Sequence, residues 1–303
     1  GYKLRLIGEK VGVDFSTVSR ELRRNRSADG YDPEAAHHQS IVRKRAADKS
    51  NKVSAKTDDL IEKGLRLGWP PDSMSRRMTL EKIPVQERLS HTTIYRRIAK
   101  DKQQGGQLYR DLPRFGKSRW KGGKRKRNAG AKLIPGRVDI TQRPAIVEKR
   151  SRLGDWEGDT VNGQSAHLVT LVDRKSRFTL VKRVFSKSKQ EVGDALIELL
   201  SKVSKKQTLT LDNGGEFADQ IRVGQESKVR VYFATPYASW QRGTNENTNG
   251  RIRRFWPKKF DMGTLTDEAI DDRIFQLNLT PRKILGGLTP FEAFTGIRVA
   301  LIT

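Results

Sequence analysis

This chain of 303 residues contains no cysteine, which excludes thiolate zinc sites, disulfide staples and thiol catalysis together. It also lacks any apolar run near the roughly 18 residues that a membrane helix needs, and its start carries no signal-peptide pattern. The expectation is a soluble, cytoplasmic protein with no membrane partner. Acids are scarce beside bases, 35 Asp and Glu against 61 Lys and Arg, and the formal charge of +26 draws polyanions and steers their approach. Nucleic acid is therefore the first partner to consider. At 35% hydrophobic residues the chain can still bury one large core or two to three small ones, so it is not a disordered tail. Because it begins Gly1-Tyr2 rather than with Met, native residues are expected ahead of Gly1.

The first half reads as helical and basic. In "LIGEKVGVDFSTVSRELRRN" apolar residues recur at helical spacing, Gly12 breaks the pattern, and Ser16 is the candidate N-cap of a second helix. Gly8, Gly12 and Val18 stand where a helix-turn-helix places a small residue, a turn glycine and a buried branched residue. Ser16, Thr17, Ser19, Arg20 and Arg23 would then lie near a DNA groove. A helical hairpin with a solvated basic face is the plainer alternative. After the polar stretch "KRAADKSNKVSAKTD", a helix is expected near Asp58 to Leu67. In "LSHTTIYRRIAKDK", Ser90 is the expected cap, with Ile94 and Ile98 on one face. That nominates His91, Thr92, Thr93, Arg96 and Arg97 as a second DNA-reading set, although His91 fits equally as an ordinary polar residue beside a cap. From Gln103 to Arg137 the chain turns basic and glycine-rich. No packed core can come from "GKSRWKGGKRKRNAGAK", and Lys124, Arg125, Lys126 and Arg127 suit an arm along phosphates, with Trp120 available for stacking.

Beyond Asp155 the pattern changes to alternation. Strands are expected around "GDTV", "SAHLVTLVDRKS" and "RFTLVKRVF", joined by turns at Asn162-Gly163 and Asp173 to Ser176 as an antiparallel meander. A helix, the strand "QTLTLDNG", a short helix, the strand "VRVYFATP" and a helix within "SWQRGTNENTNGRIRRFWPK" follow. The order βββαβαβα predicts a mixed α/β domain around a central sheet. Three acids take special places: Asp159 opening the first strand, Asp212 closing the fourth, and Glu246 in the first turn of a later helix. Thirty-three residues separate the last two, enough for a helix and a strand to return to the same sheet edge. Carboxylates so gathered suit two Mg²⁺ ions, which prefer hard oxygen ligands and can hold the attacking and leaving oxygens of a displacement at phosphorus. Each acid also has an ordinary explanation: Asp212 as a turn-former, Glu246 as a complement to the helix dipole. Glu157 and Asp159 share a strand face, so spacing leaves them equal.

The motifs "GDWEGDTV", "TLDNGGEF" and "PYASWQRGTNENTNGRIRRFWPK" resemble those of bacterial insertion-sequence transposases of the family numbered thirty, whose ribonuclease H-like core is shared with retroviral integrases. "IGEKVGVDFSTVSREL", "LSHTTIYRRI" and "LNLTPRKILGGLTPFEAF" extend the likeness over nearly the whole chain; the family usually has a further helix ahead of the position of Gly1. The resemblance implies that Asp159 rather than Glu157 is the first catalytic and metal-binding acid, with Asp212 and Glu246 the others. The cofactor would be two Mg²⁺ ions, with Mn²⁺ as substitute. It implies domains over 1–50 and 51–102 for DNA binding, a basic arm over 103–150 and a ribonuclease H-like domain over 151–303. Trp240, Gln241, Arg242, Asn245, Asn249, Arg251 and Arg254 would touch DNA or shape the pocket; Trp240 fits a core equally well. The implied activity is a bacterial, nucleoid-associated transposase that binds the terminal inverted repeats of its element and cleaves double-stranded DNA to a 3′ hydroxyl. That hydroxyl would attack target DNA, with joining of the element's ends into a circle and a homodimer or larger assembly also implied. A catalytically silent DNA-binding regulator, or a nuclease without strand transfer, are the alternatives.

Overall fold

The computed structural model describes residues 2–28, 30–46, 55–85, 87–116, 134–236 and 238–300. It divides into two compact units, Gly1–Val53 and Ser54–Thr303. In the first, α1 (Leu4–Val11) and α2 (Phe15–Asn25) are joined by a three-residue turn. Gly12 ends α1 in the left-handed region at φ 71°, which glycine enters without strain. Gly8 is small because the chain entering α2 passes over it: a Cβ there would lie 2.6 Å from the Val13 carbonyl oxygen. The N-cap of α2 is Asp14, not the expected Ser16. The Asp14 carboxylate accepts the Ser16 N–H at 2.8 Å, so Ser16 is capped rather than capping. The short strands β1 (Arg26–Ser27) and β2 (Gly30–Tyr31) pair antiparallel and lead into α3 (Pro33–Ala46).

The second unit opens with α4 (Ala55–Arg66), α5 (Pro71–Leu80) and α6 (His91–Gln103). Their apolar stripes close around Ile61, Leu65, Trp69, Met74, Met78, Leu89, Ile94 and Ile98. Pro71 sits in the first turn of α5, where its missing N–H costs nothing. Ser90 caps α6 as expected, accepting the Thr93 N–H at 3.1 Å. Lys124 to Arg127 and Trp120 lie outside the described residues.

After the short α7 (Ala145–Lys149) comes the sheet: β3 (Asp155–Asn162), β4 (His167–Asp173), β5 (Thr179–Val184), then α8 (Lys189–Ser201), β6 (Thr208–Leu211), α9 (Gln220–Ser227), β7 (Arg230–Phe233) and α10 (Gly243–Phe255). The five strands lie in the order β5-β4-β3-β6-β7, with β3, β4 and β5 antiparallel and β3, β6 and β7 parallel. This is the mixed sheet that the sequence pattern predicts. One face carries Trp156, Val169, Leu171, Leu209 and Leu211 against Leu196, Leu199 and Leu200 of α8. The other carries Val161, Leu168 and Val181 against Ile252 and Trp256 of α10 and its continuation and Ile270, Ile274 and Leu277 of α11 (Asp267–Asn278). The strand β3 begins four residues before Asp159, which stands in mid-strand and does not open it. The acids Asp155 and Glu157, which precede the expected strand start, are buried in β3, Asp155 paired with Arg152 and accepting the Thr208 hydroxyl, Glu157 paired with the distant Arg174.

A last helix, α12 (Pro290–Thr295), ties the helical segment to the sheet domain. Its Glu292 receives Arg77 of α5 at 2.6 and 3.1 Å, and Arg77 also holds Glu81 at 2.5 Å. Both Arg77 and Glu292 side chains are wholly buried. Burial alone would raise the Glu292 carboxyl, but Arg77 and the N–H groups of Val299 and Thr289 hold it at about 2.

Candidate active site

The two aspartates meet because of strand register. β3 and β6 run parallel with Glu157 opposite Thr210. Two residues further on, Asp212, just past the end of β6, comes level with Asp159 of β3, about 4.8 Å away in the hydrogen-bonding direction if the spacing of paired strands is kept. Alternation sends both side chains to the face that α10 covers. The helix is keyed to β3 at two points: the Asn245 N–H donates to Glu157 at 3.1 Å, and the Asn249 Nδ2 donates to Asp159 at 2.8 Å. Two strand residues advance about 6.7 Å and four helical residues about 6 Å, so the two spacings match.

Between the aspartates lies Arg242, the residue before α10. Its Nη2 donates to Asp212 Oδ2 at 2.9 Å, its Nη1 stands 3.6 Å from Asp159 Oδ1 and donates to the Gly158 carbonyl at 3.1 Å. Burial raises the Asp159 carboxyl above its ordinary value; Arg242 opposes that rise and the Asp212 charge adds to it. Asp212 also accepts the Gly214 N–H at 2.9 Å, which is the service of the Asn213-Gly214-Gly215 turn. Glu246 is exposed in the first turn of α10, three residues before Asn249 and on the adjoining helix face. It does not join the pair: among the described residues no three His, Cys, Asp or Glu side chains are arranged to hold a metal ion. Glu157 has both oxygens engaged, one by Arg174 at 2.9 Å and the other by the Asn245 N–H.

The DNA-contact nominations fall into groups. On α2, Thr17, Arg20 and Arg23 are exposed and Ser16 and Ser19 half-buried. On α6, His91, Thr92 and Arg96 are exposed and Thr93 half-buried, while Arg97 turns back to Thr57 and Asp58 of α4 at 2.9 and 2.7 Å. Trp240 is 76% exposed, which removes the reading of it as core. Gln241 is bound to Thr235. Asn245 is buried beneath the site with its side-chain amide unpartnered. Arg251 and Arg254 are half-buried, and Arg254 reaches the Gly68 carbonyl at 3.5 Å.

Sequence reasoning missed Glu216, which accepts Thr160 Oγ1 at 3.1 Å and pairs with Lys187 at 2.7 Å beside the aspartates. Its position four residues after Asp212, in "LDNGGEF", was the available signal. It also missed Arg174, Arg177 and Arg282, which carry no local signal.

The integrase core domain family matches residues 150–239. A transposase for insertion sequence element IS4351 of Bacteroides fragilis is 39% identical over 97% of this chain and 90% of its own length. Transposase InsI for insertion sequence element IS30A of Escherichia coli is 35% identical over 95% of this chain and 78% of its own. In a cryoEM structure of the simian T-cell lymphotropic virus intasome with PP2A regulatory subunit B56 gamma, a chain aligns with 50% of this chain and 58% of its own length. Its identity is 17% and its TM-score 0.38, too low to bear on the argument. With a matched integrase core and relatives this similar over nearly its whole length, the chain belongs to the insertion-sequence transposases of the family numbered thirty.

Proposed function

We propose that this transposase cuts and joins DNA at Asp159, Asp212 and Glu246, with a divalent metal, Mg²⁺ or Mn²⁺, held between them. The observation that carries the reading is the convergence of two carboxylates from adjacent strands on the single guanidinium of Arg242. Two acids that share one cation in this way suit an ion of hard-oxygen preference, and Arg242 stands in for its charge. A divalent ion bound there supplies Lewis-acid polarisation of phosphate oxygens and a hydroxide-like nucleophile at neutral pH.

The chain's own residues set the frame for that chemistry. Asn249 fixes the rotamer of Asp159 and the Gly214 N–H fixes Asp212; Glu246, apart from the pair in this structure, would supply the third carboxylate from the helix start when metal and DNA bind. Arg242 keeps the aspartates from repelling one another and is the group that gives way to a metal. Double-stranded DNA carrying the element's terminal inverted repeats is the substrate, read by α2 and α6 and by the exposed Trp240; two DNA ends acting together call for a dimer or larger assembly.

The test is strand cleavage and joining on a labelled duplex that carries the element's ends, with Mg²⁺, for the parent chain and Glu246→Gln. The expected result is cleavage and joined products from the parent and a loss of at least 100-fold in both steps for the variant, with DNA binding retained. Equal activity would remove Glu246 from the site, and cleavage without joining would mark a nuclease.

A further inference from the structure

On the flank of α10 turned away from Asn249 lies a second, unassigned feature: a pocket of about 410 Å³ lined by Arg150, Arg177, Thr244, Asn247, Arg251 and Arg282, with Lys283 at its edge. No acidic residue lines it. Arg282 is 6% exposed; its Nη2 donates to the Leu277 carbonyl at 3.1 Å, but its Nε and Nη1 have no hydrogen-bond partner among the described residues. Arg177 holds the left-handed backbone region at φ 65° and donates to Thr244 Oγ1 at 2.6 Å in the first turn of α10. Burial pushes Arg177 and Arg251 down to about 10, and burial with the charges of Arg251, Arg254 and Arg177 lowers Arg282 strongly.

A buried guanidinium with two unmet donors is costly unless an anion meets it. Here three further guanidiniums and the positive end of a 13-residue helix converge on the same space, which compounds the cost and directs it toward one kind of partner. The volume exceeds the ≈ 30 Å³ share of a single water by far, so one bridging water does not fill it. The planar fork of arginine matches the paired oxygens of a phosphate.

We propose that this pocket binds one backbone phosphate of DNA, on the opposite flank of α10 from the aspartate pair. The proposal rests on the reading that this core acts on DNA. It makes α10 a bar held between the strand under attack on one side and an anchored phosphate on the other, the two sites separated by about the width of a helix, 10–12 Å.

The experiment uses the whole chain with EDTA present, so that no cleavage or metal is required. A labelled duplex is titrated by fluorescence anisotropy over a series of salt concentrations with the parent, Arg177→Gln and Arg282→Met. Loss of one phosphate contact lowers the slope of log K against log salt by about 0.9 in each variant. In parallel, thermal melting is followed with and without inorganic phosphate. Phosphate should raise the melting temperature of the parent but not of Arg282→Met, and without phosphate the variant should melt no lower than the parent, since it removes an unpaired buried charge. Unchanged slopes in both variants overturn the proposal, as does an Arg282→Met melting temperature lowered equally in both buffers. Phosphate-dependent stabilisation with unchanged slopes would mark a free-anion site and overturn the DNA assignment. Because the titration needs no metal, failure of the carboxylate reading leaves this result standing.

Discussion

Arg77 and Arg242 each hold two carboxylates, and they do so in opposite ways. Arg77 is sealed, with Glu81, Glu292 and the carbonyls of Gly287 and Val299 around it and no exposed side-chain surface. Arg242 lies at a surface opening, one contact close and the other long, and its partners Asp159 and Asp212 keep 21% and 36% of their side-chain surface exposed. A saturated buried pair joins elements permanently, here α5 to α12. A half-met pair open to solvent is available for exchange, and that separates a clasp from a site.

The largest effect should come from breaking the clasp. Arg77→Ala leaves buried Glu292 with only the longer contact to Arg298 at 3.6 Å and should cost about 3 kcal/mol in chemical denaturation; a loss below about 1 kcal/mol would dissolve the contrast. Acid should attack the same point. The Glu292 carboxyl is held at about 2 when folded and titrates near 4.3 when unfolded, so its stabilisation is complete above pH 4.3 and is lost as pH falls toward 2. The parent should lose up to about 3 kcal/mol over that window, and Glu292→Gln should show a flatter acid limb.

At the open site the prediction is small in stability and marked in ligand binding. Arg242→Ala should change stability by less than about 1 kcal/mol, because its ion pairs are partly exposed. Calorimetry should show Mg²⁺ or Mn²⁺ binding several-fold tighter once the internal cation is gone; weaker binding would make Arg242 a support of the metal site rather than a stand-in. The smallest change in metal binding should follow Asn249→Ala, a slight weakening, while loss of its hydrogen bond to Asp159 should cost about 1 kcal/mol in denaturation.

The legible parts were those written in local pattern. A short run of apolar and β-branched residues in "HLVTLV" marks β4, alternation in "TLVKRV" marks β5, and the Asn213-Gly214-Gly215 turn marks the strand end beside Asp212. The start of β3 lies ahead of the expected "GDTV" because Asp155 and Glu157 are accommodated in the strand by Arg152, Arg174 and Thr208, and the last two lie well apart from them in sequence. Ser16 reads as a cap because it stands just before a helical pattern, yet Asp14 reaches its N–H from two residues earlier. Arg242 could be named as a neighbour of the site but not as the bridge, since its partners lie 30 residues back and beyond. Arg282, in "LTPRK", looks like a surface charge until the fold buries it.

The double keying of α10 to β3, through Asn245 to Glu157 and Asn249 to Asp159, has a consequence in time. A helix pinned at two matched rungs does not slide or turn along the sheet without breaking both, a motion that belongs to microseconds or longer. In the proposed site Glu246, exposed at the helix start, would join by motion of its own side chain, and exposed side chains change rotamer in picoseconds to nanoseconds. On the proposed role of Glu246, completing the acidic site is a fast side-chain step, whereas any repositioning of α10 itself is slow.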